Sequence, residues 1–400
     1  MSAPRAYATW LIAAVVGVSV AAFILNTRVN PWRVTPVPWA DDQLDAYRDV
    51  SSQIRTAKAG MVRSAGELGV GFFGSSRVAN AFDPTDPRWG RDDVLNLGCS
   101  GGFLYESTAM CRYAMRHHAL EIAILGVDPG DLSSDLDTRP MGDFYASPLA
   151  SRQDPDRELR YLIGISTAEA SLETLKRSWK GVLPQYAPGG QRVRSRKARG
   201  KPQIAFIREQ ITGEAEFGML ADGRGAATVR EEKAVLVEDL ALEARRRGTR
   251  LILLFHPTHA LRHLRATDAT DPPVLFENER RRLLAIVDRA NAAGGGGPPV
   301  EFWDFLDAHP LNDDPLPEGD GMMEHWTDLD HYTDEVGGII QARVMGWKCA
   351  APDYGTRVTA RNLDAWFERV RHSCGQYVAT TGREDIRWKE ALIESSVGHP

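Results

Sequence analysis

LGVGFFGSSR, residues 68–77, is the stretch on which the reading of this chain turns. Leu68–Phe73 is a short, largely apolar run, and Gly74 ends it with two serines and an arginine behind. Such a run, closed by turn residues, fits a strand buried on both faces of a sheet. The same form recurs along the chain. Asp93–Leu97 (DVLNL) ends at Gly98, Glu121–Leu125 (EIAIL) at Gly126 and Arg250–Phe255 (RLILLF) at His256-Pro257, while Val300–Phe305 (VEFWDF) follows the loop GGGGPP.

Helical patterns lie between these runs. Gly102–His118 carries Leu104, Thr108, Cys111 and Met115 at helical spacing, with Ser100 near the expected N-cap. Ala226–Arg247 ends in three arginines before Gly248, which suits the helix dipole and a glycine C-cap. Asn278–Ala292 and Thr333–Met345 are further candidates. Alternating strands and helices predict an α/β fold, a three-layer α/β/α sandwich around a mainly parallel five-stranded sheet. Ligands in such folds sit at the carboxyl ends of the strands, where strand order reverses. That rule places Gly74-Ser75-Ser76, Gly98-Cys99-Ser100, Gly126-Val127-Asp128 and His256-Pro257-Thr258-His259 on one rim. Residues 131–222 break the repeat and are expected to form an insertion or cap over that rim, with helices around Glu158–Trp179.

The chain has 400 residues, enough for one large α/β domain with insertions or two modest ones. A net charge of −6 argues against a general nucleic-acid binder. The basic stretch Arg192–Lys201 reads as a solvated loop, with acidic lipid or an anionic polymer as the other possibility. Ala6–Leu25 has no charged residue, and about 20 residues at about 1.5 Å each match a bilayer core of roughly 30 Å. Ser19-Val20-Ala21 could serve as a signal-peptide cleavage site, but the apolar run continues through Phe23, Ile24 and Leu25, which favours an uncleaved anchor. The flanking charges set no orientation; the layout of anchor followed by domain predicts a single-pass inner-membrane protein with its bulk in the periplasm or extracytoplasmic space. The chain divides into an anchor (1–28), a juxtamembrane linker and helix (29–66), the α/β/α domain (67–348) and a C-terminal helical extension (349–400). NPWRVTPVPW reads as an extended segment near the membrane interface.

The four cysteines show no zinc spacing; Cys349–Cys374 is the more plausible disulfide, and Cys99 and Cys111 read as buried apolar residues. A hydrolytic serine needs a base, a group to orient that base and donors for the oxyanion. Ser76 stands at the first strand's end. Near the far end of the chain, HWTDLDHYTDEVGG contains Asp328-x-x-His331, which lets one loop present a base and its orienter. Asp330 is a rival orienter, and Ser75 and Ser76 could simply cap a helix. Arg77 could bind a substrate carboxylate or phosphate, or pair with Asp83. His256 and His259 suggest substrate contact or plain structure, with metal a weaker reading because no third ligand is spaced with them. His117-His118 reads as a helix end, and Trp303, Trp326 and Trp347 as packing residues that could instead stack on sugar rings.

In motif order the chain resembles the SGNH, or GDSL-type, hydrolases: a strand ending in Gly-x-Ser, a second ending in glycine, and an Asp-x-x-His near the end. It is similar to the membrane-anchored, cell-envelope branch, which includes the alginate O-acetylation proteins and the D-alanyl transfer protein of teichoic acids. The resemblance covers roughly residues 66–346. It implies a flavodoxin-like α/β/α fold and an esterase or O-acyltransferase without cofactor or metal. Ser76 would be the nucleophile, His331 the base, Asp328 the orienting acid, and the N–H groups of Ser76 and Gly98 the oxyanion hole. An acylated polysaccharide or glycolipid is the expected substrate, and a membrane acyl-transfer protein a possible partner. Arg77, Asp128 and His259 are the substrate-binding candidates. The third motif departs from the family, since Asp128 stands where an asparagine donor is expected. Another donor replaces it, Asp128 is protonated, or the protein is a weak or inactive relative that serves as a polymer-binding scaffold.

Overall fold

The computed structural model describes residues 3–134, 140–150, 154–193, 201–216, 224 and 228–397. Most of the basic stretch 192–201, parts of the 131–222 insertion and residues 225–227 at the expected start of a helix lie outside the described residues. In chain order the elements are α1 (Ala3–Val29), α2 (Ile54–Ser64), β1 (Val70–Phe73), α3 (Ser76–Ala81), β2 (Val94–Asn96), α4 (Leu104–His117), β3 (Ile122–Val127), α5 (Pro155–Ile163), α6 (Ile165–Lys180), α7 (Gln203–Glu216), α8 (Glu231–Arg247), β4 (Arg250–Phe255), α9 (Glu277–Ala292), β5 (Glu301–Asp304), α10 (Asp334–Met345), β6 (Thr356–Val358), α11 (Leu363–Ala379) and α12 (Arg383–Val397).

The strands form one sheet in the order β2-β1-β3-β4-β5-β6. The first five are parallel: Val70 pairs with Val94 on one side and Ile122 on the other, Ile122 with Arg250, and Ile252 with Glu301. The expected five strands are joined by a sixth, because β6 adds antiparallel to β5 with Phe302 opposite Val358. β6 is a three-residue edge strand (Thr-Arg-Val) with only Val358 buried, so it has no apolar run to betray it. It also makes residues 349–400 more than a helical extension. β1 is buried at every position, and β3 and β4 at all but the first, as expected for strands covered on both faces. α4 packs on β1 and β3, α8 on β4 and α9 on β5, while α3 pairs separately with α10.

The N-terminal region differs from the expected extended linker. Trp32 and Val34 are buried in a small cluster with Val50, Ala57, Tyr161 and Tyr186. Arg48, itself buried, donates to the Val29 carbonyl at 2.8 and 3.0 Å and so caps the C-terminus of α1 with positive charge. α1 is long and apolar enough to cross a membrane. α5 and α6, the first part of the insertion, pack on α1 rather than over the sheet's carboxyl rim.

No disulfide joins Cys349 to Cys374; all four cysteines are free. Cys374 is buried in α11 and lines a small internal cavity with Thr258 and Leu264, and Cys349 lines a separate surface hollow with Asp83 and Arg88. The expected N-cap at Ser100 falls instead at Phe103.

Candidate active site

The sheet's order reverses at β1: the chain runs out to β2 and returns on the other side as β3. The carboxyl ends of β1 and β3 therefore meet at the switch point, which is where Ser76 stands. The turn from β1 to α3 needs Gly74. Its φ is +151°, and a Cβ there would lie 2.5 Å from Val78 Cγ2. Ser75 is the N-cap of α3, its Oγ accepting from the Arg77 N–H at 3.2 Å, and Ser76 is the first helical residue. Of the two serines, one is thus fixed as a cap and the next presents its hydroxyl.

His331 comes to that hydroxyl from the loop before α10. Ser76 Oγ is 2.7 Å from His331 Nε2. His331 Nδ1 lies 2.8 and 2.9 Å from the two carboxylate oxygens of Asp328. Asp328 Oδ1 also accepts from the backbone N–H groups of Asp330 and His331, each at 2.9 Å. An acceptor surrounded by donors puts the ring proton on Nδ1 and leaves the Nε2 lone pair facing the serine. Asp328 is buried and His331 partly exposed, so the orienting acid is shielded while the base can meet a substrate. Asp330, the rival, points elsewhere.

The loop is held from both sides. Thr333 caps α10, its Oγ1 accepting from the Val336 N–H at 3.5 Å. α10 lies so close to α3 that a Cβ on Gly337 would overlap the Ala81 carbonyl. On the other side, α7 covers the loop. Gln203 donates to the Trp326 carbonyl at 2.8 Å and accepts from the Met323 N–H at 2.7 Å. Gln210 donates to Asp330 Oδ2 at 2.7 Å. The insertion therefore reaches the rim through its last helix.

Arg77 is not paired with Asp83. Its Nη1 is 2.9 Å from Asp128 Oδ1, its Nη2 3.0 Å from Asp330 Oδ1, and its Nε donates to the Asp330 carbonyl at 2.7 Å. Burial alone would lower the Arg77 pKa, but the two carboxylates raise it. Asp330 is shared with Arg262 at 3.1 Å, and Arg262 also pairs with Glu214 of α7. Arg77 thus ties the residue before His331 to the end of β3, and its charge is spent on two carboxylates rather than held for a substrate.

Asp128 is on the rim as expected, and its surroundings favour the carboxylate over the protonated form. Burial would raise its pKa, yet the Arg77 guanidinium and the Ser75 hydroxyl hold the carboxyl below its usual range. In that form it does not act as a donor, since an ionised carboxylate only accepts. Gly98 also departs from expectation: its N–H donates to Asn96 Oδ1 at 3.1 Å instead of facing the serine. Asn96, fully buried, donates to the carbonyls of Val78 and Phe82 at 2.8 and 2.7 Å, and so fastens α3 to the β2 turn. A polar residue inside an apolar strand run was the signal for this role. The Ser76 N–H, at the first position of α3, has no intrahelical acceptor. Gly101, further along the β2 loop, is exposed at φ +68° with open space where a Cβ would project.

The strand-four histidines are structural. His259 is fully buried, with Nε2 2.8 Å from the Asp314 carbonyl and Nδ1 accepting from the Leu261 N–H at 3.2 Å, and burial pushes its pKa down to about 4. It is removed from the substrate-binding candidates. His256 Nδ1 is 2.8 Å from the Tyr332 hydroxyl, and burial pushes its pKa down to about 3. Among the described residues no group of three His, Cys, Asp or Glu is placed to hold a metal. Trp326 is buried and donates to the Leu311 carbonyl at 2.7 Å, and Trp347 packs on Trp89.

No protein-family model matches this sequence. No curated protein matches it either.

Proposed function

We propose that this protein is a membrane-anchored serine esterase or O-acyltransferase, of the SGNH type that its motif order resembles, acting on an acylated polysaccharide or glycolipid in the cell envelope. One observation carries the reading: the continuous chain from Ser76 Oγ through His331 to Asp328, with steps of 2.7 and 2.8 Å. Ser76 Oγ attacks the acyl carbon as its proton passes to His331 Nε2. Asp328 keeps Nδ1 protonated and steadies the imidazolium. His331 then returns the proton to the departing sugar oxygen, leaving the acyl group on Ser76. A second hydroxyl, from water or an acceptor sugar, gives its proton to His331 as its oxygen takes the acyl group, and His331 passes that proton to the departing Ser76 Oγ, which restores the serine. The Ser76 N–H serves the oxyanion. With α1 as the anchor, the domain would lie on the periplasmic or extracytoplasmic face of the inner membrane.

A second reading has specific support. The Gly98 N–H is engaged by Asn96 and the surroundings of Asp128 favour its carboxylate form, which leaves the Ser76 N–H as the oxyanion donor. That favours a catalytically weak or inactive scaffold within a polysaccharide-modification complex. The full-length protein in detergent, assayed for acetate release from aryl acetates and acetylated glycans, separates the two. Activity abolished by Ser76→Ala and by His331→Ala is the expected result. A parent protein inactive on every acylated substrate supports the scaffold, and equal activity in Ser76→Ala removes the nucleophile.

A further inference from the structure

α6 carries apolar side chains on a face that its own fold does not use. Thr167, Ser171 and Thr174 are buried and form its inward side. Ile165, Leu172, Leu175 and Trp179 form a second stripe, and Ile165 and Trp179 are 79% and 87% exposed. Positions 165, 172 and 179 are two turns apart, so they lie on one line along the helix. Val182 and Leu183, just past the helix, continue it in the open. Lys176, Glu169 and Lys180 border the stripe along one edge, with Glu173 beyond them.

What covers this face follows from the helix it rests on. α6 and α5 pack on α1, with Asn26 donating to the carbonyls of Leu162 and Gly164 at 3.1 and 3.4 Å and accepting from the Ser171 hydroxyl at 3.2 Å. Ser19, Ala22 and Leu25, three residues apart, are the partly buried positions on that part of α1. The apolar run ends at Leu25, before Asn26, Thr27 and Arg28, and about 20 such residues fill the hydrocarbon layer. The contact with α5 and α6 therefore falls at the outermost turns of the span, at the depth of the lipid headgroups.

We propose that the α5–α6 hairpin is a second, monotopic membrane contact, with the Ile165–Leu172–Leu175–Trp179 stripe seated in the leaflet from which α1 emerges. An amphipathic helix with an apolar stripe, a tryptophan and flanking lysines is suited to that layer. The consequence reaches the serine. The segment after α6 runs from Gly181 to Arg192, whose N–H donates to the Ala79 carbonyl of α3 at 2.7 Å. The lip of the Ser76 site is thus tied through a short connection to the element that rests on the bilayer. The inference relies on the reading of α1 as an anchor.

The test is spin-label depth measurement on the full-length protein, in a Cys349→Ser background, in vesicles of phosphatidylethanolamine and phosphatidylglycerol. Labels at Leu172→Cys and Trp179→Cys should collide more often with oxygen than with a water-soluble nickel chelate, and a label at Glu173→Cys should show the reverse. A label at Val15→Cys reports on the anchor separately. If Val15 is in lipid while 172 and 179 are aqueous, the hairpin proposal alone is overturned. If 172 and 179 are shielded from both reagents, a protein covers the stripe and the proposal is equally wrong. An aqueous Val15 overturns the anchor reading, and the hairpin proposal with it.

Discussion

Arg77→Met tests the polar clamp beneath the serine. Methionine keeps much of the stem but removes the charge that faces Asp128 and Asp330. Asp330 retains Arg262 and Gln210, whereas Asp128 is left beside a neutral, buried His256. Removing one partner of a buried ion pair costs about 3–5 kcal/mol. The Arg77 and Asp128 side chains are 11% and 15% exposed, so some water reaches them, and roughly 2–4 kcal/mol is expected at pH 7. Asp128→Asn added to Arg77→Met removes the stranded charge and should restore about half of the loss. The pH dependence has a definite sign. In the parent, burial would raise the Asp128 pKa, but Arg77 and its neighbours depress it overall. Its contribution is therefore full above the unfolded value of about 3.9 and is lost as pH falls through the folded value. In Arg77→Met burial dominates and the folded pKa rises, so the variant gains relative stability as acid neutralises Asp128. The gap between parent and variant should narrow by about 1–2 kcal/mol from pH 7 to pH 4.5. Urea unfolding of the full-length proteins in detergent, followed by near-UV circular dichroism, measures all of these. A cost below about 1 kcal/mol, a gap independent of pH, or a double variant as unstable as the single would refute the clamp.

Asp328→Asn should lower kcat by about 10³–10⁴ with little change in folding, because an amide in that place can hold the wrong imidazole tautomer; single-turnover release of p-nitrophenol from an aryl acetate measures it. Gly337→Ala should push α10 away from α3, costing about 1–3 kcal/mol and lengthening the Ser76–His331 contact, seen as a fall in both thermal midpoint and kcat. His259→Ala should cost about 1–3 kcal/mol by stranding the Asp314 carbonyl and the Leu261 N–H, yet leave KM unaltered, since the ring does not reach the site. Dithiothreitol should leave the thermal midpoint unchanged, because the four cysteines are free.

The β1, β3 and β4 cores were legible because a strand covered on both faces is apolar along most of its length, and β4 falls on Arg250–Phe255 as read from the sequence. The Asp328–His331 pair was legible for a local reason: the two residues share one loop, and their spacing alone brings the carboxylate to Nδ1. Ser76 was singled out over Ser75 by strand order, and the cap geometry gives the reason, with Ser75 spent on the Arg77 N–H.

Other features depend on contacts between distant segments. Asp83 lies near Arg77 in sequence, but Asp128 is closer in space because β3 is hydrogen-bonded to β1. The Gly98 N–H could be matched to an oxyanion by motif order, but only the packed turn shows Asn96 already holding it. Cys349 and Cys374 could be paired on paper, while the fold sends one to a surface hollow and the other into the core. β6 pairs at an edge with one buried side chain, leaving no pattern to read. The chain's own order determined an α/β sheet, an apolar span and a serine, histidine and aspartate in plausible register. Packing alone decided that they meet at 2.7 Å, that Arg77 serves Asp128 and Asp330, and that α6 turns its apolar side outward. Hydrophobic periodicity is a property of consecutive residues, whereas the partner of a charge or an amide is fixed only when separate elements are brought together.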